Sequence, residues 1–258
     1  MNNTHHVLRG FVLRQTDYKE SDRIITVLTD SMGKQRFLAR GARRKGSRIR
    51  SSCEQMTFNE YTVYEYKNRM YVDEAETLEP FSEIRDDLDK LALASYFSEL
   101  LETVADSDSS DPALLQLALN GTYALCRLDV PQTIIKAAFE LRLMCLAGFQ
   151  PMLEGCAGCS SPEAYVFSVS NGELLCSQCA SGAGGGRMIR LTRDVISAMI
   201  HICSCSPRKI FSFSLGTDQA AVLGSAAEDY VLYQLDRSFS TLDFYNSIRR
   251  LYSEHHDS

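Results

Sequence analysis

Four cysteines, Cys156, Cys159, Cys176 and Cys179, stand in the spacing C-x2-C-x16-C-x2-C. No other feature of the 258 residues restricts local folding so tightly. Two such pairs can share one ion only if the chain between them turns back on itself. A two-residue gap lets both thiolates of one turn reach the ion while the backbone N–H groups of that turn point at the sulfurs, and Gly158 supplies a permissive backbone. Between the pairs, "AYVFSV" and "ELLC" flank Asn171-Gly172, the preferred dipeptide of a type I′ hairpin. The expected product is a zinc ribbon inserted at residues 151–186. Four thiolates close the tetrahedral shell and leave no position for water or substrate, so one structural zinc per chain is expected. It would contribute about 10 kcal/mol or more to folding the insert.

The other five cysteines have no comparable context. Cys145 lies in the apolar run "LRLMCLAG" and reads as core. His201, Cys203 and Cys205 of "HICSC" do not share a helix face. The N-terminal "MNNTHHVLRG" lacks the regions of a signal peptide, and no run of 18 apolar residues occurs. A cytoplasmic protein is expected, with no membrane partner, in which a disulfide framework has no place.

Residues 7–78 are dominated by short runs rich in Val, Ile, Thr, Phe and Tyr between turn residues. Five strands are predicted, with "DSMGK" as a Gly-containing turn between the second and third. Five strands in this length suit a small OB-type barrel, with an SH3-like barrel as the alternative. After Pro80 the pattern changes to helical periodicity, first over residues 86–105 and then in five further segments. Asp111 is placed to cap the second helix with Pro112 as its first residue, and Pro131 to open the third. The reading is therefore α+β: an OB-type barrel domain at 1–80, a helical domain at 81–150 and 187–258, and the four-cysteine insert. The acidic residues 106–111 read as a solvated loop, and "GAGGG" at 182–186 as a flexible link, since neither a P-loop nor a dinucleotide fingerprint follows it.

The formal net charge is −6, yet residues 1–72 hold 14 Lys and Arg against 7 Asp and Glu. Screening confines exposed charges to about 8 Å at physiological salt, so a polyanion meets the local balance and not the global one. The positive charge is densest in "FLARGARRKGSRIR", residues 37–50. Lys34 and Arg36 precede it. Arg36 and Arg40 fall on one face of the third strand, with Phe37 and Ala39 on the other. Arg43, Arg44, Lys45, Arg48 and Arg50 follow, interleaved with Gly41, Gly46 and Ser47, in a loop able to track a phosphate backbone. On the next strand Phe58, Tyr64 and Tyr66 share one face and Tyr61 the other; at least one set is core, and these aromatics are the candidates for base stacking.

No histidine stands in an H-E-x-x-H context and no G-x-S-x-G occurs. Four of the five, His5, His6, His255 and His256, are near the ends. The chain therefore reads as a binding protein and not an enzyme, with a protein–protein adaptor as the alternative and a metal-dependent hydrolase as a remoter one.

The segment "GFVLRQTDYKESDRIITVLTDSMGKQRFLARGARRKGSR" resembles the N-terminal barrel of the RecO family of bacterial recombination mediators. The helical "IRDDLDKLALASYFSELLETV" and "YVLYQLDRSFSTLDF", and the position of the cysteine insert, are similar as well. This resemblance, which covers nearly the whole chain, implies a non-enzymatic DNA repair and recombination protein. It implies binding of single- and double-stranded DNA, annealing of strands coated by single-strand-binding protein (SSB), contact with SSB through its acidic C-terminal tail, association of RecR with the barrel side, and loading of RecA together with RecR.

Overall fold

The computed structural model describes residues 5–256, with side chains described as far as residue 251. The first four residues of the N-terminal stretch read above, and the side chains of His255 and His256, lie outside the described residues. Contacts divide the chain into two compact units, Met1–Arg127 with Ser240–Ser258, and Leu128–Phe239.

The first unit is built on a five-stranded closed barrel: β1 (His5–Tyr18), β2 (Asp22–Thr29), β3 (Lys34–Ala39), β4 (Phe58–Tyr66) and β5 (Arg69–Glu79). The order is β1-β2-β3-β5-β4, with β1 pairing β4 to close the ring and β3 pairing β5 in parallel. This OB-like barrel decides against the SH3-like alternative. β1 is long because it serves two neighbours, its first half lying on β4 and its second on β2, with a bulge between Val12 and Arg14. At Gly10 the strands come so close that a Cβ would strike the Val27 side chain, which is why glycine stands there. The alternating residues Val12, Ile25, Val27, Phe37, Tyr61 and Val63 fill the interior. "DSMGK" is the β2–β3 turn, closed by Thr29 N–H donating to Gly33 O at 2.9 Å, with Gly33 at φ +67°.

Three helices belong to the same unit: α1 (Leu88–Val104), α2 (Pro112–Arg127) and α7 (Ser240–His256). Asp111 caps α2 by accepting from the N–H of Ala113 at 2.8 Å, as its position before Pro112 predicts. α7 is tied to α1 where the Thr241 N–H and hydroxyl both donate to the Glu99 carboxylate.

The second unit holds α3 (Gln132–Leu146), which starts behind Pro131 and ends before Gly148 at φ +88°, then the ribbon, then α5 (Arg193–Ser204) and α6 (Thr217–Gln234). The ribbon consists of β6 (Val166–Ser168), β7 (Glu173–Leu175), the short α4 (Ser177–Gly182) and β8 (Met188–Arg190), in sheet order β7-β6-β8. The hairpin expected at Asn171-Gly172 is present, but it is not the two-residue type I′ turn. Ser168 pairs with Glu173, so residues 169–172 form the loop, and Gly172 is at φ +66° while Asn171 is not left-handed. The longer loop arises because Val169 N–H donates to Arg187 O beside β8, while Gly172 N–H closes on Ser168 O. Among the described residues no helix is long and apolar enough to cross a membrane.

Candidate metal centre and nucleic-acid interface

The β6–β7 hairpin brings the two cysteine pairs together, with Ala157 N–H donating to Leu174 O at 2.8 Å and Cys156 N–H to Ser161 O at 2.8 Å. The four sulfurs lie within 4.8 Å of one another and form a group that could hold a metal ion. Cys159 Sγ and Cys176 Sγ are 3.7 Å apart. A tetrahedral ion with metal–sulfur bonds of about 2.3 Å has a sulfur–sulfur edge of about 3.8 Å, so the spacing suits such an ion. Backbone N–H groups point at the sulfurs, Cys176 N–H to Cys156 Sγ at 3.2 Å and Cys179 N–H to Cys176 Sγ at 3.5 Å. A Cβ at Gly158 would stand 3.0 Å from Cys179 Sγ, so this turn has little room for a side chain.

Ionisation of the cluster is split. The Cys176 N–H draws the Cys156 thiol down to about 6, whereas hydrogen bonding among the sulfurs, led by that with Cys176, pushes Cys179 up to about 12. Adjacent thiols cannot all carry charge unless a cation takes it up. Elsewhere in this unit the "HICSC" residues diverge as expected. His201 Nε2 lies 2.8 Å from Lys209 O, and the Cys203 thiol turns inward to hydrogen-bond with Cys145.

The basic stretch leaves β3 as a chain of tight turns seated on the barrel. Arg44 N–H donates to Gly41 O at 3.0 Å, Ser47 N–H to Arg44 O at 3.1 Å and Cys53 N–H to Arg50 O at 3.2 Å. Gly41 at φ +67° and Gly46 at φ +79° make these turns possible. Ala42 and Cys53 are fully buried in the barrel core and Ile49 packs against it, so the loop is anchored from beneath while its cations point outward.

The eight predicted cations fall into three groups. Arg36, Arg44, Lys45, Arg48 and Arg50 are exposed, and among the described residues their side chains have no hydrogen-bond or ion-pair partner. Arg40 is exposed but held, its guanidinium 4.3 Å above the Tyr71 ring. Arg43 and Lys34 are engaged within the fold. Arg43 pairs with Asp17 at 3.3 Å and donates to Lys19 O at 3.2 Å, pinning the β1–β2 turn. The Lys34 ammonium donates to Glu102 O near the end of α1. The acidic stretch is correspondingly more than a solvated loop, since Asp106 O accepts from Lys34 N–H and Ser107 O from the Gln35 amide.

The aromatic residues of β4 divide by face. Tyr61 is core, its hydroxyl donating to Ser52 O and accepting from Asn59. Tyr64 and Tyr66 are outside. Tyr64 stacks on Tyr71 at 5.3 Å, and Tyr66 is 42% exposed with the Lys67 ammonium 5.2 Å above its ring. The β4–β5 tip, with Lys67 and Asn68 at positive φ, therefore carries Tyr66, Lys67 and Arg69 on one hairpin. The sequence reading did not include Lys67, Arg69 or Tyr71 in a site. The signal was the polar break "YKNRM" between two aromatic strands.

Two family models match the chain, "Recombination protein O N terminal" over residues 1–81 and "Recombination protein O C terminal" over residues 85–243. The chain is 28% identical to a DNA repair protein RecO from Acetivibrio thermocellus, covering 94% of this chain and 96% of that one. It is likewise 28% identical to one from Desulforamulus reducens, covering 92% of each. It is 34% identical to one from Exiguobacterium sibiricum, over 65% of this chain and 67% of the relative. With an OB-like barrel under the first model, the helices and cysteine cluster under the second, and both models together spanning most of the chain, this protein belongs to the RecO family of DNA repair proteins.

Proposed function

We propose that this protein is a recombination mediator and not an enzyme. In this reading it binds single- and double-stranded DNA through the barrel at residues 1–80, anneals complementary strands, and with RecR helps to load RecA onto SSB-coated DNA. Family membership supports the pathway. The observation that carries the binding role is the group of five exposed cations without partners, Arg36, Arg44, Lys45, Arg48 and Arg50, on a rigidly anchored loop and its strand. Cations already neutralised by carboxylates would gain little from phosphate; these stand ready for it. Annealing follows because neutralised backbones repel one another less when both are held on one protein.

The helical segments at 81–150 and 187–258 would carry protein-partner contacts, the acidic SSB C-terminal tail among them, RecR would associate on the barrel side, and the nucleoid would be the working location. The insert at 151–186 would hold zinc through Cys156, Cys159, Cys176 and Cys179. Zinc bound there supplies cross-linking of the ribbon and no open coordination position.

Annealing of two complementary oligonucleotides coated with single-strand-binding protein tests the whole reading. Acceleration dependent on this protein, reduced in an R44A/K45A/R48A variant, is expected. Absence of acceleration, with only weak binding of single-stranded oligonucleotide, would leave the adaptor reading in its place. Arg43 is kept out of the variant because its loss would also release the β1–β2 turn.

A further inference from the structure

Two of the five cysteines outside the ribbon meet in the second unit, where the ends of α3 and α5 converge. The Arg142 guanidinium of α3 donates to Ile202 O at 3.2 Å, Cys203 O at 2.8 Å and Cys205 O at 3.0 Å. It thereby takes up carbonyls that the end of α5 leaves free and fixes one helix end against the other. This clamp sets Cys145, one turn after Arg142, against Cys203, and the two thiols hydrogen-bond. Both are half-buried, so the pair is held by packing yet within reach of a small solute.

The two sulfurs are not equivalent. The hydrogen bond from Cys203, helped by the Arg142 charge, draws the Cys145 thiol below the ordinary thiol value, while the same bond and burial push Cys203 up. Burial pushes Cys53 up to about 12 and Cys126 up to about 11, and raises Cys205 as well. Outside the ribbon Cys145 is therefore the thiol that ionises most readily, and its hydrogen-bonded neighbour stays protonated. A half-exposed thiolate beside a protonated thiol is the arrangement of a peroxide-sensitive cysteine with its resolving partner.

We propose that Cys145 and Cys203 form a reversible oxidation site for hydrogen peroxide, ending in a disulfide that joins α3 to α5. The Cys145 thiolate attacks a peroxide oxygen; the S–O bond forms, the O–O bond breaks, and hydroxide leaves to be protonated to water. Cys145 is then a sulfenic acid, oxidised by two electrons. The Cys203 sulfur attacks it; the S–S bond forms, the S–O bond breaks, and the hydroxyl departs as water with the Cys203 proton. Two thiols and one peroxide thus give one disulfide and two waters, and a dithiol reductant reverses the change. The link closes a loop that contains the whole insert at residues 151–186, so α3 and α5 stay joined when oxidation takes the ribbon's own thiolates. Nothing in this chemistry depends on DNA binding.

The test exposes the full chain to graded hydrogen peroxide, then denatures it, blocks the remaining thiols with N-ethylmaleimide and maps the unreduced digest by mass spectrometry. A peptide pair joined through Cys145 and Cys203, lost on treatment with dithiothreitol, is expected at doses that leave Cys53 and Cys126 reduced. Hydrogen exchange should slow at residues 142–146 and 200–205 of the oxidised protein and recover on reduction. In C203S, dimedone should label Cys145 several-fold more than in wild type, and in C145S Cys203 should stay reduced at the same doses. The wild-type map alone decides the site; the variants assign the roles. Cys145 and Cys203 still reduced when Cys53 or Cys126 is oxidised overturns the proposal, and so does a disulfide joining Cys203 to Cys205. Equal dimedone labelling of Cys145 in C203S and wild type overturns the pairing.

Discussion

Lys136 on α3 is 4% exposed, and its ammonium donates to Glu140 at 2.7 Å and to Glu228 of α6 at 2.8 Å. Burial alone would lower its pKa, but the two carboxylates outweigh that and hold it above the ordinary lysine value. A folded-state pKa above the unfolded one means that this contribution to stability is fully present below the unfolded lysine pKa. It is lost as pH rises through the raised folded value, so the dependence lies on the alkaline side and not near neutrality. K136M would leave Glu140, which is fully buried, without its ammonium, and is expected to destabilise the protein by about 3–5 kcal/mol in denaturant titration. K136M/E140L should recover much of that loss, because it removes the two most deeply buried charges and leaves Glu228, which reaches solvent. Gly172 is a second sensitive position: it is at φ +66°, and a Cβ there would run into the Tyr230 ring, whose hydroxyl donates to Phe149 O at 3.0 Å. G172A should therefore lower the melting temperature with a loss of about 1–3 kcal/mol, whereas G184A, where the added Cβ meets nothing, should not.

At the scale of elements, the ribbon has three strands of three residues each, with Phe167, Leu174 and Leu175 buried, so its expected metal and its apolar packing can be separated by experiment. One zinc per chain is expected by elemental analysis of the purified protein. Its removal with a thiol-reactive agent and chelator should raise hydrogen exchange across residues 152–190 while the barrel strands stay protected. C176S should act like metal removal, since Cys176 is at once a predicted ligand, the N-cap of α4 and the N–H donor to Cys156 Sγ. Uniform protection in metal-free protein would mean that the hairpin alone holds the insert. The helices sort by contact and not by their order in the chain. α7 comes from the far end of the sequence and docks on α1, which Glu99 secures through Thr241. Periodicity identified these helices one by one, but not which pairs would meet, because the apolar stripe of one helix fits several others.

For the whole molecule, charge is the property that reaches furthest. A chain of net −6 carries the five exposed, unpartnered cations of β3 and the loop after it on one unit, so its DNA affinity should depend steeply on salt despite its acidic composition. If Arg36, Arg44, Lys45, Arg48 and Arg50 each neutralise one phosphate, log K for a single strand falls against log salt with a slope near −3.5. R44A/K45A/R48A should flatten it by about 2, while unfolding midpoints stay unchanged because those side chains are exposed and, among the described residues, make no hydrogen bond or ion pair. A slope unaffected by that variant would remove the loop from the interface.

What the sequence determined by itself is what short-range chemistry specifies: five strands from alternation, helices and their caps from Asp111 and Pro131, and a metal-type knuckle pair from two C-x2-C spacings. It also marked the density of Arg and Lys after Phe37. Tertiary structure decided everything that depends on which distant residues become neighbours. The parallel pairing of β3 with β5 placed Tyr71 under Arg40 and the β4–β5 tip beside Arg36. The end of α1 claimed the Lys34 ammonium, and Asp17 claimed Arg43, so eight similar cations became different in role. Tyr61 went inward and Tyr64 outward because only one face of β4 meets the core, and alternation names two faces without saying which is which.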